Sequence, residues 1–347
     1  LGDVYKRQAL ACAEQDLIKK GLENPSAEFS VPALVLSSNS GTATGKDDFS
    51  SGGNWLFAAS ALANGQGLCY EDYEPFLESG TENMIVSENK KSVSEYRLNY
   101  VMELSSTTQV KRKIMELGAV SASYFAGNGY MNHNNTAYYD PDASKNTIIN
   151  HSVTVVGWDD NYSKDNFRYK PTNNGAWLVR NSWGDNNTMG GYFWISYEDK
   201  YIFGEKYSPN FTIDEVVEIS DDMTLLQNER YGATYSFNYV DSNDITFINC
   251  FDFDENSRTL NNVIFETKSN GADYEVYYIP VDNGTPANDE SKWKLISSGK
   301  VTYSGYQSVD TNGYVAPLGR GAIGIRIITE SGESSQLGVG EWLTNST

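Results

Sequence analysis

Cysteine is scarce: Cys12, Cys69 and Cys250 are the only three in 347 residues, with no CxxC pair among them. That spacing excludes a zinc knuckle and a dense disulfide framework, and no other pattern calls for a metal or an organic cofactor. Histidine is scarcer still. His133 and His151 are the whole supply, so any imidazole chemistry falls to one of the two. Basic residues are outnumbered, 26 Lys and Arg against 46 Asp and Glu, for a formal net charge of −20. Binding a phosphate backbone depends on basic side chains displacing counterions, which argues against nucleic acid as a partner. No apolar run approaches the roughly 18 residues of a membrane-spanning helix.

What is present is a globular composition, 39% apolar and 13% aromatic, at a length that suggests about two domains. Residues 3–8, Asp-Val-Tyr-Lys-Arg-Gln, resemble the translated end of a sequencing adapter, so 1–8 are expected to be non-native. From Ala9 the strong helix formers, the basic pair Lys19 and Lys20 and the stop at Gly21 predict a helix entered in mid-course, with the native terminus upstream. Residues 37–53, rich in Ser, Gly, Thr and Asp, predict a loop, and 55–64 a short helix. A helix over 110–117, a strand over 119–125, a polar loop over 127–146 and strands at 152–158, 175–180 and 191–196 follow. Helices first and antiparallel strands after predict an α+β domain. Beyond residue 212 come short β-rich runs at 246–253, 262–267, 274–279, 293–297 and 323–329, the spacing of a β-sandwich. That region holds 21 acidic residues against eight basic ones, for a net −13. The organisation expected is a non-native tract at 1–8, an α+β domain at 9–212, a linker at 213–230 and a β-sandwich at 231–347, with Thr347 as a second cut.

Several motif matches fail on context. Gly319-Arg-Gly-Ala-Ile-Gly324 fits GxGxxG, but Pro317 precedes it and an alternating Ile-Arg-Ile-Ile run follows, where a dinucleotide site needs a strand before and a helix after. Gly41-Thr-Ala-Thr-Gly-Lys46 is one residue short of a phosphate loop. Asp252, Asp254 and Asn256 start like a calcium loop, yet Ser257 replaces the turn glycine and Val263 the closing glutamate, so an acidic turn is expected.

His133 sits in a polar loop and reads as structural. His151 opens the apolar run His-Ser-Val-Thr-Val-Val-Gly-Trp, and Gly175-Ala-Trp-Leu-Val-Arg-Asn-Ser-Trp-Gly184 follows, with Asn181 thirty residues on. These blocks resemble the His and Asn blocks of papain-like cysteine peptidases. Gly118-Ala119-Val120, Gly190-Gly191-Tyr192-Phe193 and Ser51-Gly-Gly-Asn54 extend the resemblance over about residues 9–205, and the acidic β-rich tail resembles bacterial members with a C-terminal lectin-like domain. The resemblance implies a two-lobed peptidase domain with His151 and Asn181 as catalytic residues. It implies Trp183 as a shield over their hydrogen bond, and Gly52 and Gly53 as the lining of the substrate cleft. The chemistry accounts for the residue types: a thiol attacks a peptide carbonyl as thiolate, an imidazolium stabilises that thiolate, and an asparagine fixes the tautomer of the ring.

In this family the nucleophilic cysteine stands in Cys-Trp-Ala-Phe with a glutamate ten residues later. Matching that glutamate to Glu14 puts the nucleophile at Val4, 147 residues before His151, within the expected separation of about 130–150. Cys12 falls two turns too late, in an apolar helical flank, and Cys69 and Cys250 have no suitable flank. The family's oxyanion-donating glutamine lies further upstream. The chain as written is therefore expected to be inert and its parent to be a secreted or surface-held endopeptidase acting on peptide or protein substrates. A different class of reading is an inactive peptidase-like scaffold or adhesin whose β domain holds a glycan or cell-wall ligand. Tyr277, Tyr278, Trp293, Tyr303 and Tyr306 are candidates for stacking on sugar rings, against the commoner use of such residues in a core.

Overall fold

The computed structural model describes residues 2–38, 55–73, 94, 96–127, 129–142, 149–185, 187–203, 210–220, 223–227, 235–238, 242–330 and 335–339. Helix α1 spans Gly2–Lys20, so it includes the tract set aside from the sequence. Its buried residues recur three and four apart, with Lys6, Ala9, Leu10, Ala13 and Leu17 on one stripe and Gln8, Cys12 and Asp16 beside it. Gly21, at φ +70°, ends the helix. Its amide donates to the Ile18 carbonyl and the Leu22 amide to the Leu17 carbonyl, both at 3.0 Å, the paired bonds of a Schellman cap. Helices α2 (Val31–Ser38) and α3 (Trp55–Ala63) pack on α1 in one apolar cluster. Residues 37 and 38 thus close α2, and the rest of the loop expected at 37–53 lies outside the described residues.

Strand β1 (Tyr96–Leu104) leads into α4 (Thr107–Leu117), whose N-cap Ser106 accepts the Gln109 amide and whose C-cap is Gly118 at φ +94°. Then follow β2 (Val120–Tyr124), β3 (Ala137–Tyr138), β4 (His151–Asp159), β5 (Ala176–Arg180), β6 (Tyr192–Ser196) and β7 (Asn210–Glu218). The C-terminal half adds β8 (Tyr235–Asn238), β9 (Asp244–Phe253), β10 (Thr259–Thr267), β11 (Asp273–Asp282), β12 (Thr285–Pro286), β13 (Lys294–Lys300), β14 (Gly305–Val315), β15 (Gly319–Ile328) and β16 (Gln336–Val339).

One nine-stranded sheet runs β10-β14-β1-β7-β2-β4-β5-β6-β3, antiparallel except for the parallel β3–β6 pair. β2 is buried along its whole length, with α1 against the sheet on one side and α4 on the other. That burial accounts for its small and apolar residues without charged alternates. A second sheet, β12-β11-β15-β9 with β13 on β11, closes over β10 and β14. Phe253, Phe265, Val276, Ile296, Val309 and Ile327 fill the space between them.

Two expectations change. Residues 213–218, expected as the start of a linker, finish β7 and pair with β1 through Ile213↔Val101 and Val216↔Leu98. The expected sandwich is present, but one of its layers is the edge of the nine-stranded sheet, joined where β1 pairs with β14 through Tyr100↔Gln307, Val101↔Tyr306 and Met102↔Gly305. At that junction a Cβ on Gly305 would lie 1.9 Å from the Val101 carbonyl oxygen, so only glycine admits the approach. The rejected GxGxxG string is strand β15. Asp254 Oδ1 accepts the Asn256 and Ser257 amides and the Ser257 hydroxyl in a turn.

Candidate active site

β4 and β5 form an antiparallel pair in which Thr154 faces Arg180 and Val155 faces Val179. Continued toward the open end of the hairpin, that register sets His151 opposite Trp183, with Asn181 two residues earlier. The side chains meet accordingly. His151 Nε2 and Asn181 Oδ1 are 2.9 Å apart, and the Trp183 indole stacks on the imidazole with ring centroids 4.5 Å apart and planes 27° apart. Below the ring, Tyr124 meets it edge-on at 5.7 Å from its place opposite His151 in β2. His151 and Asn181 are buried at 4% and 8% exposure, while Trp183 keeps 57% and forms the wall between the imidazole and solvent.

The hydrogen bonds assign the tautomer. The Ser182 amide donates to Asn181 Oδ1 at 2.8 Å, so this atom is the carbonyl oxygen and an acceptor only. His151 Nε2 must then be the protonated nitrogen, which leaves the Nδ1 lone pair free to take a proton. Burial lowers the His151 pKa from 6.5, partly offset by the bond to Asn181, which favours the neutral ring. Asn181 itself is fixed from the other side, its amide donating to the Gly191 carbonyl at 3.1 Å.

α1 crosses the sheet in steps of four residues. Asp16 accepts the Val216 amide of β7 at 2.9 Å, Cys12 lies against Ser121 of β2, and Gln8 donates to the Ser152 carbonyl of β4 at 3.2 Å while accepting from the Thr154 hydroxyl. Four residues rise about 6 Å along a helix and strands sit about 4.8 Å apart, so each step reaches the next strand. Val4 is one further step of four along the same helix, within α1. Cys12 is buried at 1% exposure, and burial pushes its thiol up to about 12, which suits a core residue and not a nucleophile. Cys69 is buried in the helical part of the molecule, and Cys250 lies on β9 in the far sheet. Glu14 is half-buried and accepts the Phe29 amide at 3.0 Å, with burial pushing its carboxyl up to about 7.

Gly52 and Gly53 lie outside the described residues. His133 is exposed in the turn before β3, apart from the pair. Tyr124 and Gln8 escaped the sequence reading: Tyr124 is one aromatic in an alternating strand until the β2–β4 register sets it opposite His151, and Gln8 belongs to the tract set aside. Of the aromatics considered for sugar stacking, Tyr278, Tyr303 and Tyr306 are buried. Trp293 donates to the Ala287 carbonyl at 2.7 Å and Tyr277 to Glu275. Among the described residues no group of His, Cys, Asp and Glu has the arrangement of a metal site, and no helix is long and apolar enough to cross a membrane.

Residues 9–209 match the family described as Papain family cysteine protease, and residues 225–345 match the Lectin like domain. Among solved structures the chain is similar to a Cys-to-Ala variant of the clostridial cysteine protease Cwp84 after propeptide cleavage, at 36% identity and TM-score 0.87, over 97% of this chain and 82% of that one. It is also similar to the cysteine protease and lectin-like domains of Cwp84, described as a surface layer associated protein of Clostridium difficile, at 35% identity and TM-score 0.85, over 97% and 73% of the two chains. Rat (Rattus norvegicus) Testin-2 is 29% identical over 144 residues, 41% of this chain and 40% of that protein, so the chain spans about two fifths of that relative's length.

Proposed function

Since the chain belongs to the papain family of cysteine proteases, we propose that its first half is the catalytic domain of a thiol endopeptidase, with His151 as proton carrier, Asn181 as its orienting partner and Trp183 as the cover over both. The observation that carries this reading is the 2.9 Å contact between His151 Nε2 and the carbonyl oxygen of Asn181, which leaves Nδ1 as the unprotonated nitrogen of the ring. A thiol beside it gives its proton to Nδ1, and the resulting thiolate attacks the scissile carbonyl carbon. The C–N bond then breaks as Nδ1–H protonates the departing amine, and water hydrolyses the thioester. The family resemblance assigns Gly52 and Gly53 to pairing with an extended substrate.

In this chain Val4 stands where that thiol belongs, and Lys6 is buried where the family pattern has alanine. The chain as it stands is inert by this reading. The same observation favours a second reading, a peptidase-like scaffold that carries the lectin-like domain. In both, the C-terminal domain holds a saccharide of a cell wall or glycan, and the protein works outside the cell or on its surface, a reading supported by the likeness to a protein described as surface layer associated.

The test is the variant carrying Val4→Cys, Tyr5→Trp, Lys6→Ala and Arg7→Phe. It is expected to cleave a fluorogenic peptide slowly and to react with iodoacetamide at pH 6, both lost on adding His151→Ala. Activity, or alkylation at position 4, that survives His151→Ala overturns the assignment, and the untouched chain, with Val4 in that place, is expected to show neither.

A further inference from the structure

The seam between the two sheets holds a shallow, wide-mouthed cavity of about 560 Å³, a volume in the range of roughly 300–1,000 Å³ usual for small-ligand sites. Both halves of the protein build it. Tyr100 comes from β1 of the peptidase sheet, Tyr274 from β11, Leu295 and Ser297 from β13, and Asp310 and Asn312 from β14.

The ring of Tyr274 is held in place. It packs on Phe265 with centroids 5.8 Å apart, and its hydroxyl lies against Gly299, where a Cβ would be 2.7 Å away. Burial holds the Tyr100 phenol above its usual range, with Glu215 and then Tyr274 adding to it, so the two phenols sit within electrostatic reach of each other. On the opposite wall the β10–β14 pairing jumps from Asn262↔Asp310 to Leu260↔Tyr314, so residues 311–313 of β14 stand opposite Asn261 alone. Asn312 and Gly313 take φ +54° and +63° in that bulge, and the Asn312 amide donates to Asp310 Oδ1 at 2.6 Å. A bulge re-aims the side chains it carries. Here it sets a carboxylate and a carboxamide, both exposed, on the cavity wall.

The lining is selective by charge. Among the described residues no lysine or arginine contributes to it, so a phosphate or carboxylate ligand finds no counterion, and Asp310 repels one. The held ring of Tyr274, the Tyr100 phenol and Leu295 suit C–H faces, while Asp310, Asn312 and Ser297 supply acceptors and donors for vicinal hydroxyls. A pyranose presents both kinds of surface at once. We propose that this cavity binds a neutral saccharide, gripped between Tyr100 and Tyr274 and fixed in orientation by Asp310 and Asn312. The inference rests on the reading that the C-terminal half carries a saccharide, and it names the place.

The test is isothermal titration calorimetry of the full chain with maltotriose, mannotriose and tri-N-acetylchitotriose, and with triserine as a peptide of similar polarity. At least one trisaccharide is expected to bind, at least tenfold more weakly to Tyr274→Ala and to Asp310→Ala, while Tyr274→Phe retains binding and all three variants keep the thermal midpoint within a few degrees. A trisaccharide that binds equally well to both alanine variants overturns this site and leaves the domain reading standing. Absence of binding by all three sugars overturns both. Binding of triserine instead, lost in the same variants, overturns the saccharide class.

Discussion

The hairpin that carries His151 and Asn181 and the seam that joins β1 to β14 are made of the same antiparallel pairing at opposite ranges of sequence. The hairpin brings together side chains thirty positions apart. At the seam, Ser304 donates to Glu103 across 201 positions, and Lys268 reaches Glu103, Glu266 at 3.1 Å and the Trp55 ring at 4.8 Å. A pairing between consecutive strands leaves a compact mark in the sequence, an apolar run, a turn-rich gap and a second run. A pairing between distant strands leaves none, because closing a longer loop adds entropy only slowly and asks nothing particular of the residues between. The chemistry therefore rests on local order, and the assembly of the two halves on order that no short window contains.

The most severe way to break that contrast is Gly305→Ala. The new Cβ has no room beside the Val101 carbonyl, and the φ of +120° is unfavourable for any side chain, so the substitution is expected to cost about 3 kcal/mol or more. Urea unfolding read by tryptophan fluorescence and by circular dichroism is expected to fall in one transition for both halves. Two separated transitions would mean that the seam does not bind them into one unit.

Next in size is Glu14→Gln in α1. Its carboxyl rises from 4.5 to about 7 on folding, so its contribution is fully present below pH 4.5 and is lost as pH rises through 7. Glutamine keeps the acceptor for the Phe29 amide without the charge. Unfolding of the variant at pH 5 and pH 8 is expected to lose up to about 3 kcal/mol of pH dependence. An unchanged pH profile would show that Glu14 ionises in the fold as it does in solvent.

Asn181→Ala in the thiol-restored variant sharpens the other side of the contrast. Loss of the tautomer-fixing acceptor is expected to lower kcat/KM about 10²-fold at a stability cost of about 1 kcal/mol. A loss of activity no greater than the loss of folded protein would make Asn181 a structural residue only. The smallest effect is expected for His151→Gln in the chain as it stands. Burial lowers the folded pKa below 6.5, so the unfolded chain protonates first and stability declines as pH falls below 6.5. Thermal midpoints at pH 7.5 and 5 are expected to differ less in the glutamine variant than in the parent chain.

The same contrast explains what was legible in the residues alone. α3, α4, β2, β4, β5 and β6 follow from periodicity and from turn or cap residues such as Ser106, Gly118 and Gly175, and the pairing of His151 with Asn181 follows from two short blocks. β1, with charged and polar Arg97, Asn99 and Glu103 among its apolar residues, looks like neither a clean alternation nor a helix. Its Arg97 is buried because Asn99, Ser308 and Asn262 of three strands surround it. β7 carries Asp214, Glu215 and Glu218, a composition that suggests a linker. Yet Lys20 and Lys113 lie 3.7 Å from Asp214 and supply the compensation, from helices far away in the chain. β14 reads as turn-rich through Asp310, Asn312 and Gly313, and its bulge is what those residues are for.

The shared sheet also bears on what happens when the polypeptide is cut. A protease that nicks the chain between β7 and β9 severs one covalent connection and leaves β1 still laced to β14, with Lys268 clasped to Glu103. The two pieces are expected to elute from a sizing column as a single particle and to separate on a denaturing gel, the backbone between the halves serving as a tether and the β-ladder as the weld.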